Sequence, residues 1–401
     1  MNDAFTHDAI IIGGGMVGLS LAVATARQGL SVAVVERGHP EPDAPEPGRF
    51  APRVSALSRH SQAWLQRLDA WRRIPNGRAC AYSHMAVWDG LGNGRIEFDA
   101  AEVQADNLGH IVENRWLTQA LWQTAEEGRS LRLLAGRTVD HWQQDDFGVQ
   151  VILDDGETLS APVLAACDGR FSTVRDQAGF QTREWAYDQT ALVTSIRHSH
   201  PHAFTARQIF LETGPLAFLP LSDETGTQHW TSIVWSADTD RAEALQALDD
   251  ADFLAELNRA SEGCLGTIEA ADPRFCFPLG QMHAHQYWQG RVVLLGDAAH
   301  AIHPLAGQGV NLGFLDAEAL SDVWGRAHAQ GQSLGDAWTM RRFQRRRQTH
   351  NLAAMAAMEG FKRLFGTDHP APVLLRNRGL NWVHRLPLAK RPLIRAAMGE
   401  L

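Results

Sequence analysis

The 401-residue sequence predicts an α/β fold: one parallel sheet, an inserted antiparallel sheet and a helical C-terminal segment. Three observations carry this. A glycine turn joins a short apolar strand to a helix near the start of the chain. Between Thr190 and Ala237 the pattern changes to repeated β segments, and beyond Asn311 the spacing is helical, broken at Pro370–Pro372, Pro387 and Pro392.

In chain order, Asp8–Ile12 is a wholly apolar run bounded by glycine, the mark of a strand buried on both faces. Met16–Gln28 has helical spacing and Ser31–Glu36 is a second apolar strand. His39–Pro52, rich in Pro, Glu and Gly, reads as an exposed loop, and Val54–Leu68 as a helix with Ala56, Leu57, Trp64, Leu65 and Leu68 on one side. Ala86–Phe98 is strand and turn, and Asn114–Glu127 a helix striped by Leu117, Leu121 and Trp122. Thr138–Gln143 and Gly148–Leu153 form a hairpin, and Thr158–Cys167 returns to the main sheet. The inserted sheet takes Ala191–Arg197, Arg207–Glu212, Leu216–Leu221 and His229–Trp235, followed by a helix over Ala242–Ala260. Arg291–Leu295 is again a short apolar strand, so the first domain is discontinuous: residues 1–75, 106–185 and 278–345. Residues 76–105 and 186–277 form the second domain and 346–401 the C-terminal helices.

Composition excludes several classes. No run of 18 apolar residues exists, so no helix spans a membrane, and Ile10–Ile12 is too short and lacks the basic flank of a signal peptide. The four cysteines and eighteen histidines show no metal-ligand spacing, and His198, His200 and His202 beside Pro201 read as a polar loop. A net charge of −9 argues against nucleic acid as a partner. That charge is uneven: from Met340 onward thirteen Lys or Arg face three acids, a balance of +10 on a body of −19.

Gly13-Gly14-Gly15-Met16-Val17-Gly18 supplies G-x-G-x-x-G between strand and helix. Gly13 permits the tight turn, Gly15 lets a pyrophosphate approach the backbone at the positive helix end, and Gly18 lets helix and strand pack closely. Glu36 ends the second strand, where a carboxylate accepts from a ribose 2′-OH and disfavours a 2′-phosphate. This is a Rossmann unit for FAD or NAD. Two further motifs choose FAD. Ala166–Arg175, with Asp168-Gly169, resembles the DG motif of single-Rossmann flavoprotein hydroxylases. Gly296-Asp297-Ala298-Ala299-His300, continuing through His303-Pro304 to Gly307-Gln308-Gly309-Val310-Asn311, resembles their GD motif. Asp297 follows a strand and can bond ribityl hydroxyls, and the turn at Gly307–Gly309 opens a helix whose amides can polarise the flavin pyrimidine edge. No second G-x-G-x-x-G exists for a resident nicotinamide nucleotide.

Along its whole length the chain resembles the ubiquinone-biosynthesis hydroxylases. The likeness runs through Arg53–Ser58, Met85–Asp89, Leu108–Asn114, Ala206–Phe210 and Leu216–Leu221. Including Leu393–Gly399, it is strongest to the branch that oxidises ring carbon C5 of a 2-polyprenylphenol. Where many relatives carry an acid two residues before the motif arginine, this chain has Ala51, while Arg53 is kept.

The resemblance implies a p-hydroxybenzoate-hydroxylase-like fold with tightly bound, non-covalent FAD, reduced by NADH or NADPH as a visiting reductant. O₂ then forms a flavin C4a-hydroperoxide that hydroxylates a polyprenylphenol. Its cofactor contacts are Gly13, Gly15, Gly18, Glu36, Arg37, Arg53, Asp168, Gly169, Asp297, Gly307, Gly309, Val310 and Asn311. Pro304, Leu305 and Gly307 flank the oxygen site, and no general base is assigned; His300 and His303 read as packed, hydrogen-bonded residues. The resemblance also implies a cytoplasmic protein associated with other ubiquinone-biosynthesis proteins. The basic end has two readings: a solvated helix surface, or a docking face for an anionic membrane or partner enzymes through Arg345, Arg346, Arg347, Lys390 and Arg391, on the order of 1 kcal/mol per residue that reaches a membrane. Three other readings stay open: a sibling ubiquinone hydroxylase acting at another ring carbon, a hydroxylase of a small soluble phenol, which needs a carboxylate-binding arginine, and a flavin-binding assembly subunit without turnover. A flavin halogenase is disfavoured because W-x-W-x-I-P is absent.

Overall fold

A computed structural model describes residues 5–39, 46–302, 309–365, 377–379, 382, 384 and 386–399. Strand β1 (Ala9–Ile12) is buried at every position, as an uninterrupted apolar run requires. It lies inside a six-stranded sheet ordered β19 (Trp288–Gln289), β20 (Val292–Leu294), β12 (Leu164–Ala166), β1, β2 (Val32–Glu36) and β8 (Leu131–Ala135). Every neighbouring pair is parallel except β19 with β20. Helix α1 (Met16–Ala26) packs between α3 (Asn114–Glu126) and the long α7 (Gly309–Ala329). Leu320 and Trp324 of α7 join the core of the sheet, with Phe343 from α8 (Ala337–Phe365).

A nine-stranded sheet is ordered β21 (His300–Ala301), β18 (Phe275–Ala284), β13 (Thr182–His198), β16 (Trp230–Asp238), β15 (Gly214–Leu221), β14 (Thr205–Leu211), β5 (His84–Asp89) and β6 (Arg95–Asp99), with β17 (Ile268–Ala271) also on β13. It is not purely antiparallel, because β14 and β5 pair in parallel. Helices α5 (Thr239–Ala247) and α6 (Asp250–Ala260) cover one face, burying Leu192, Ile209, Phe218, Ile233 and Trp235. The alternate residues Ala206, Leu219 and Leu221 turn the other way and pack with Ala56 and Ile111. Those two belong to a small sheet of β3 (Val54–Ser58), β7 (Gly109–Glu113) and β4 (Ala79–Tyr82). The expected hairpin, β9 (Val139–Gln144) with β10 (Val149–Leu153), is present and gains β11 (Thr158–Ala161) as a third strand.

Several expectations change. Residues 54–68 are not one helix: β3 pairs with β7, and the Ser58 hydroxyl then caps α2 (Arg59–Arg67) by accepting from Ser61 N. Thr158–Cys167 divides at Pro162, which has no N–H for a ladder, into β11 and β12. Ala242–Ala260 is two helices, because the Asp249 carboxylate caps a new N-terminus at Asp252 N. His198 and His202 are buried rather than in a polar loop, bonded to Thr231 Oγ1 (2.8 Å) and Leu221 O (2.9 Å). Pro387 opens the last helix, α9 (Pro387–Ala397), at a position that needs no N–H, and Pro392 lies within it. Pro370–Pro372 lie outside the described residues. Two of the five basic residues expected at a membrane face are internal: Arg347 pairs with Asp316 and Lys390 with Glu102. Among the described residues no helix is long and apolar enough to cross a membrane.

Candidate cofactor and active site

The glycine turn is shaped by contacts that a side chain would destroy. Gly13 has φ +105°, and a Cβ there would lie 2.4 Å from Cys167 O; at Gly18 it would lie 2.0 Å from Gly13 O. Gly15 is different, with nothing within 4 Å of where its Cβ would stand. It begins α1 with no side-chain cap and no acid in the first turn, so the first amides of the helix face an open crevice. Glu36 accepts from Gly14 N (2.6 Å) and Gly38 N (2.8 Å), so it steadies the turn while each oxygen keeps a lone pair. Arg37 beside it is exposed.

Asp168 follows β12. Its Oδ2 accepts from Val174 N at 3.4 Å, whereas Oδ1 is shut off from solvent and has no partner among the described residues. Gly169, at φ +84°, has open space around its α-carbon. Asp297 follows β20 and is open to solvent, yet lies deep in surrounding protein. Desolvation by that surrounding mass raises its carboxyl above the usual range, opposed by His300, Arg53 and Arg170. An accessible carboxylate at depth marks a crevice. Arg175 joins the two turns, donating to Arg170 O (2.8 Å) and Ala298 O (3.5 Å).

Gly309 and Val310 open α7, and the Asn311 amide is held at both ends: Oδ1 accepts from Ser58 N (3.0 Å) and Ser61 Oγ (2.7 Å), and Nδ2 donates to Ala56 O (2.8 Å). Arg53 places its guanidinium 5.6 Å from the Phe277 ring centre. His300 is buried and bonded to Asp316. His303, Pro304, Leu305 and Gly307 lie outside the described residues.

Sequence reasoning missed the residues that hold the Arg53 loop. Buried Glu113 accepts from Ala51 N (2.6 Å), Trp116 Nε1 (2.7 Å), Arg115 Nε (3.1 Å) and Arg78 Nη1 (3.3 Å). Arg78 donates onward to Arg49 O (2.8 Å) and Glu46 O (2.7 Å). The signals for Glu113 were a carboxylate ending an apolar strand and its place in the Leu108–Asn114 stretch of family likeness, neither of which names its partners; Arg78 gave none.

Facing this crevice is the side of the large sheet turned away from α5 and α6. Cys276 bonds to Ala242 O of α5, so Phe275 and Phe277 on either side of it point the other way, and both are exposed. Their cross-strand partners are Val193 and Ala191, followed across the sheet by Val234, Ser236 and Ala217. No charged residue stands at these strand positions, and the nearby cation over Phe277 is Arg53 from the neighbouring loop.

A family profile described as an FAD binding domain matches residues 6–353. The 3-demethoxyubiquinol 3-hydroxylase of Escherichia coli (strain K12) is 35% identical over 390 residues, 97% of each chain. The mitochondrial ubiquinone biosynthesis monooxygenase COQ6 of Danio rerio is 34% identical, covering 96% of this chain and 88% of the relative. This chain belongs to the FAD-dependent hydroxylases of ubiquinone biosynthesis. Members of this family are flavoprotein aromatic monooxygenases, and the chain is one. Its fold is shared with p-nitrophenol 4-monooxygenase PnpA of Pseudomonas putida DLL-E4 (TM-score 0.77, 21% identity, 98% of both chains). PqsL of Pseudomonas aeruginosa aligns equally well (TM-score 0.77, 22% identity, 94% of this chain and 99% of that one). The crevice suits the family's cofactor: open helix amides at Gly15, an unpartnered Asp168 oxygen and the accessible Asp297 are groups that phosphates and hydroxyls satisfy.

Proposed function

We propose that this hydroxylase acts on a polyprenylphenol intermediate of ubiquinone biosynthesis, at ring carbon C5. The observation that carries the substrate class is the uncharged sheet face of Ala191, Val193, Ala217, Val234 and the exposed Phe275 and Phe277. Arg53, 5.6 Å from the Phe277 ring, is assigned to the cofactor, and the strand positions themselves offer no cation for the carboxylate of a small phenolic acid, whereas a phenol with an isoprenoid tail needs apolar area. Bound FAD supplies electrons taken from NAD(P)H and activates O₂ for transfer to an aromatic ring.

The residues divide the remaining work. The α1 amides at Gly15 receive the pyrophosphate, Glu36 the adenosine ribose, and Asp168 and Asp297 the hydroxyls beyond it. Arg37, Arg53, Gly169 and the segment from Gly307 to Asn311 complete the cofactor contacts, with Pro304 and Leu305 at the oxygen site. The Phe275–Phe277 face orients the ring and excludes water, which protects the activated oxygen from loss to solvent. The phenol's own oxygen activates the ring, so positioning contributes more than proton transfer. Association with partner enzymes and a peripheral membrane contact belong to the same reading. The contact would be carried by the exposed Arg345, Arg346, Arg391 and Arg395 with Leu393. Flotation with anionic liposomes tests it, and binding unchanged by reversing those charges would reject it.

The ring position has a rival. The relative from Escherichia coli is named a 3-hydroxylase, which favours position 3. Complementation of bacterial strains, each lacking one ring hydroxylase, decides between them, with quinone intermediates read by mass spectrometry. Rescue of only the C5-deficient strain supports our reading, and rescue of the position-3 strain replaces it. No rescue by a yellow, well-expressed protein would point to a small-phenol substrate.

A further inference from the structure

We infer that Asp316 is a positioning residue: it holds the Gly296-Asp297 turn where Asp297 meets the cofactor, and fixes that turn against helix α8. The inference rests on the proposed contact between Asp297 and FAD.

Asp316 projects from α7 with none of its surface exposed. One oxygen, Oδ2, is given wholly to the turn, accepting from Gly296 N at 3.2 Å and from His300 Nε2. These donors bracket Asp297 on both sides. Gly296 has φ +55°, so the direction of its peptide sets where the next side chain points. The other oxygen, Oδ1, is given wholly to α8, accepting from Arg347 Nε at 2.7 Å and Asn351 Nδ2 at 3.1 Å.

The network closes on itself. Arg347 Nη2 donates to Asn351 Oδ1 (2.6 Å), Asn351 Nδ2 reaches Tyr287 OH (3.2 Å), and Tyr287 OH lies 3.2 Å from His283 Nε2. His283 is the register partner of His300 across β18 and β21. Burial acts to raise the Asp316 carboxyl, but His300 and Arg347 outweigh it and hold the group well below the usual carboxylate range. An ionised, fully satisfied carboxylate in this ring gives the turn little freedom to move.

Asparagine at 316 keeps the volume but has one acceptor where two are needed. Its oxygen goes to the guanidinium of Arg347, leaving its NH₂ against Gly296 N–H. Asp316→Asn should raise the FAD dissociation constant about tenfold, less than the loss of a whole charge-assisted hydrogen bond, because the Asp297 turn is displaced rather than removed. It also lowers the melting temperature, so Leu257→Ala in the α6 core serves as a control for destabilisation alone. FAD affinity is read by flavin fluorescence on reconstituted protein. A tenfold weaker Asp316→Asn beside an unchanged Leu257→Ala supports the inference. Equal affinities, with Asp297→Asn weakened, make Asp316 a structural residue and overturn it while the cofactor site stands. An Asp297→Asn protein that binds FAD normally removes the site assignment and the inference with it. If Asp316→Asn does not fold, His300→Leu against His300→Gln decides. Leucine loses the donor and should weaken FAD binding, glutamine keeps one and should restore it, and equal effects overturn the inference.

Discussion

Replacing Gly15 and Gly18 separately by alanine should divide cofactor binding from folding. At Gly18 a Cβ would stand 2.0 Å from Gly13 O, a main-chain atom that cannot rotate away. Helix α1 must move off the turn, at a cost of about 1–3 kcal/mol or more. At Gly15 the backbone is extended, with φ −75° and ψ −179°, which alanine adopts without strain, and no atom beyond its immediate chain neighbours lies within 4 Å of the added methyl. The poorer helix cap offered by alanine and the lower entropy of its unfolded chain offset within roughly 1 kcal/mol. The methyl group nevertheless occupies the space through which a phosphate approaches the helix amides. Losing one charge-assisted hydrogen bond of about 2 kcal/mol weakens FAD roughly 30-fold. The assay is thermal unfolding of the apoprotein beside FAD titration followed by fluorescence. Gly15→Ala should melt with the parent and bind FAD weakly, whereas Gly18→Ala should melt early. Normal FAD affinity in Gly15→Ala would refute the placement of the pyrophosphate.

Acidification should destabilise the protein through its buried histidines. Burial pushes His198 and His202 down to about 4, outweighing the carbonyls that each ring contacts. Unfolded histidine takes its proton near 6.5, so the unfolded chain binds more protons between those values and stability falls as pH drops from 6.5 toward 4. His198→Asn should flatten the dependence of melting temperature on pH across that window, and an unchanged slope would show that other groups dominate. Glu113→Gln leaves buried Arg78 with only its longer pair to Glu224 (3.6 Å), at a cost of about 1–3 kcal/mol. Its melting temperature should fall well below that of Glu113→Asp, and a difference within error would mean that the main-chain bonds to Arg78 suffice. Phe277→Ala should raise KM for a long-tailed phenol about tenfold and leave a tail-free phenol nearly unaffected. Equal effects on the two substrates would place the tail elsewhere.

The centre of the parallel sheet was legible because Ile10–Ile12, Val32–Val35 and Val292–Leu294 are uninterrupted apolar runs that admit no other burial, whereas the edge strand β8, interrupted by Arg132, went unread. Local periodicity failed where a tertiary partner overrode it. Val54–Ser58 shares the helical spacing of residues 59–68, but β7 offers a ladder and Ser58 a cap, so strand and helix meet there. The basic C-terminal segment misled because charge count says nothing of pairing; Arg347 and Lys390 find acids 31 and 288 residues away in sequence. For the site, the glycine pattern revealed the crevice and its acids. The supporting pairs Glu113–Arg78 and Asp316–Arg347 stayed hidden, since such partners are joined only by the fold.

The order of strands explains why acids so far apart in sequence can serve one ligand. Asp297, Asp168 and the glycine turn follow β20, β12 and β1, and Glu36 is the last residue of β2; these strands are successive parallel neighbours, so all four lie along the same edge of the sheet. At roughly 4.8 Å per strand, three steps set Asp297 and Glu36 about 14 Å apart across the sheet. A phosphate or a single nucleoside cannot reach both, whereas an extended dinucleotide can, and its two halves then bind as one molecule. ADP-ribose, which carries the adenosine and pyrophosphate but no flavin, should therefore compete at the Gly15 and Glu36 end alone. Gly15→Ala should weaken FAD and ADP-ribose alike, while Asp297→Asn should weaken FAD and spare ADP-ribose. Equal loss of both ligands in Asp297→Asn would mean that the turn after β20 supports the whole crevice rather than one end of it.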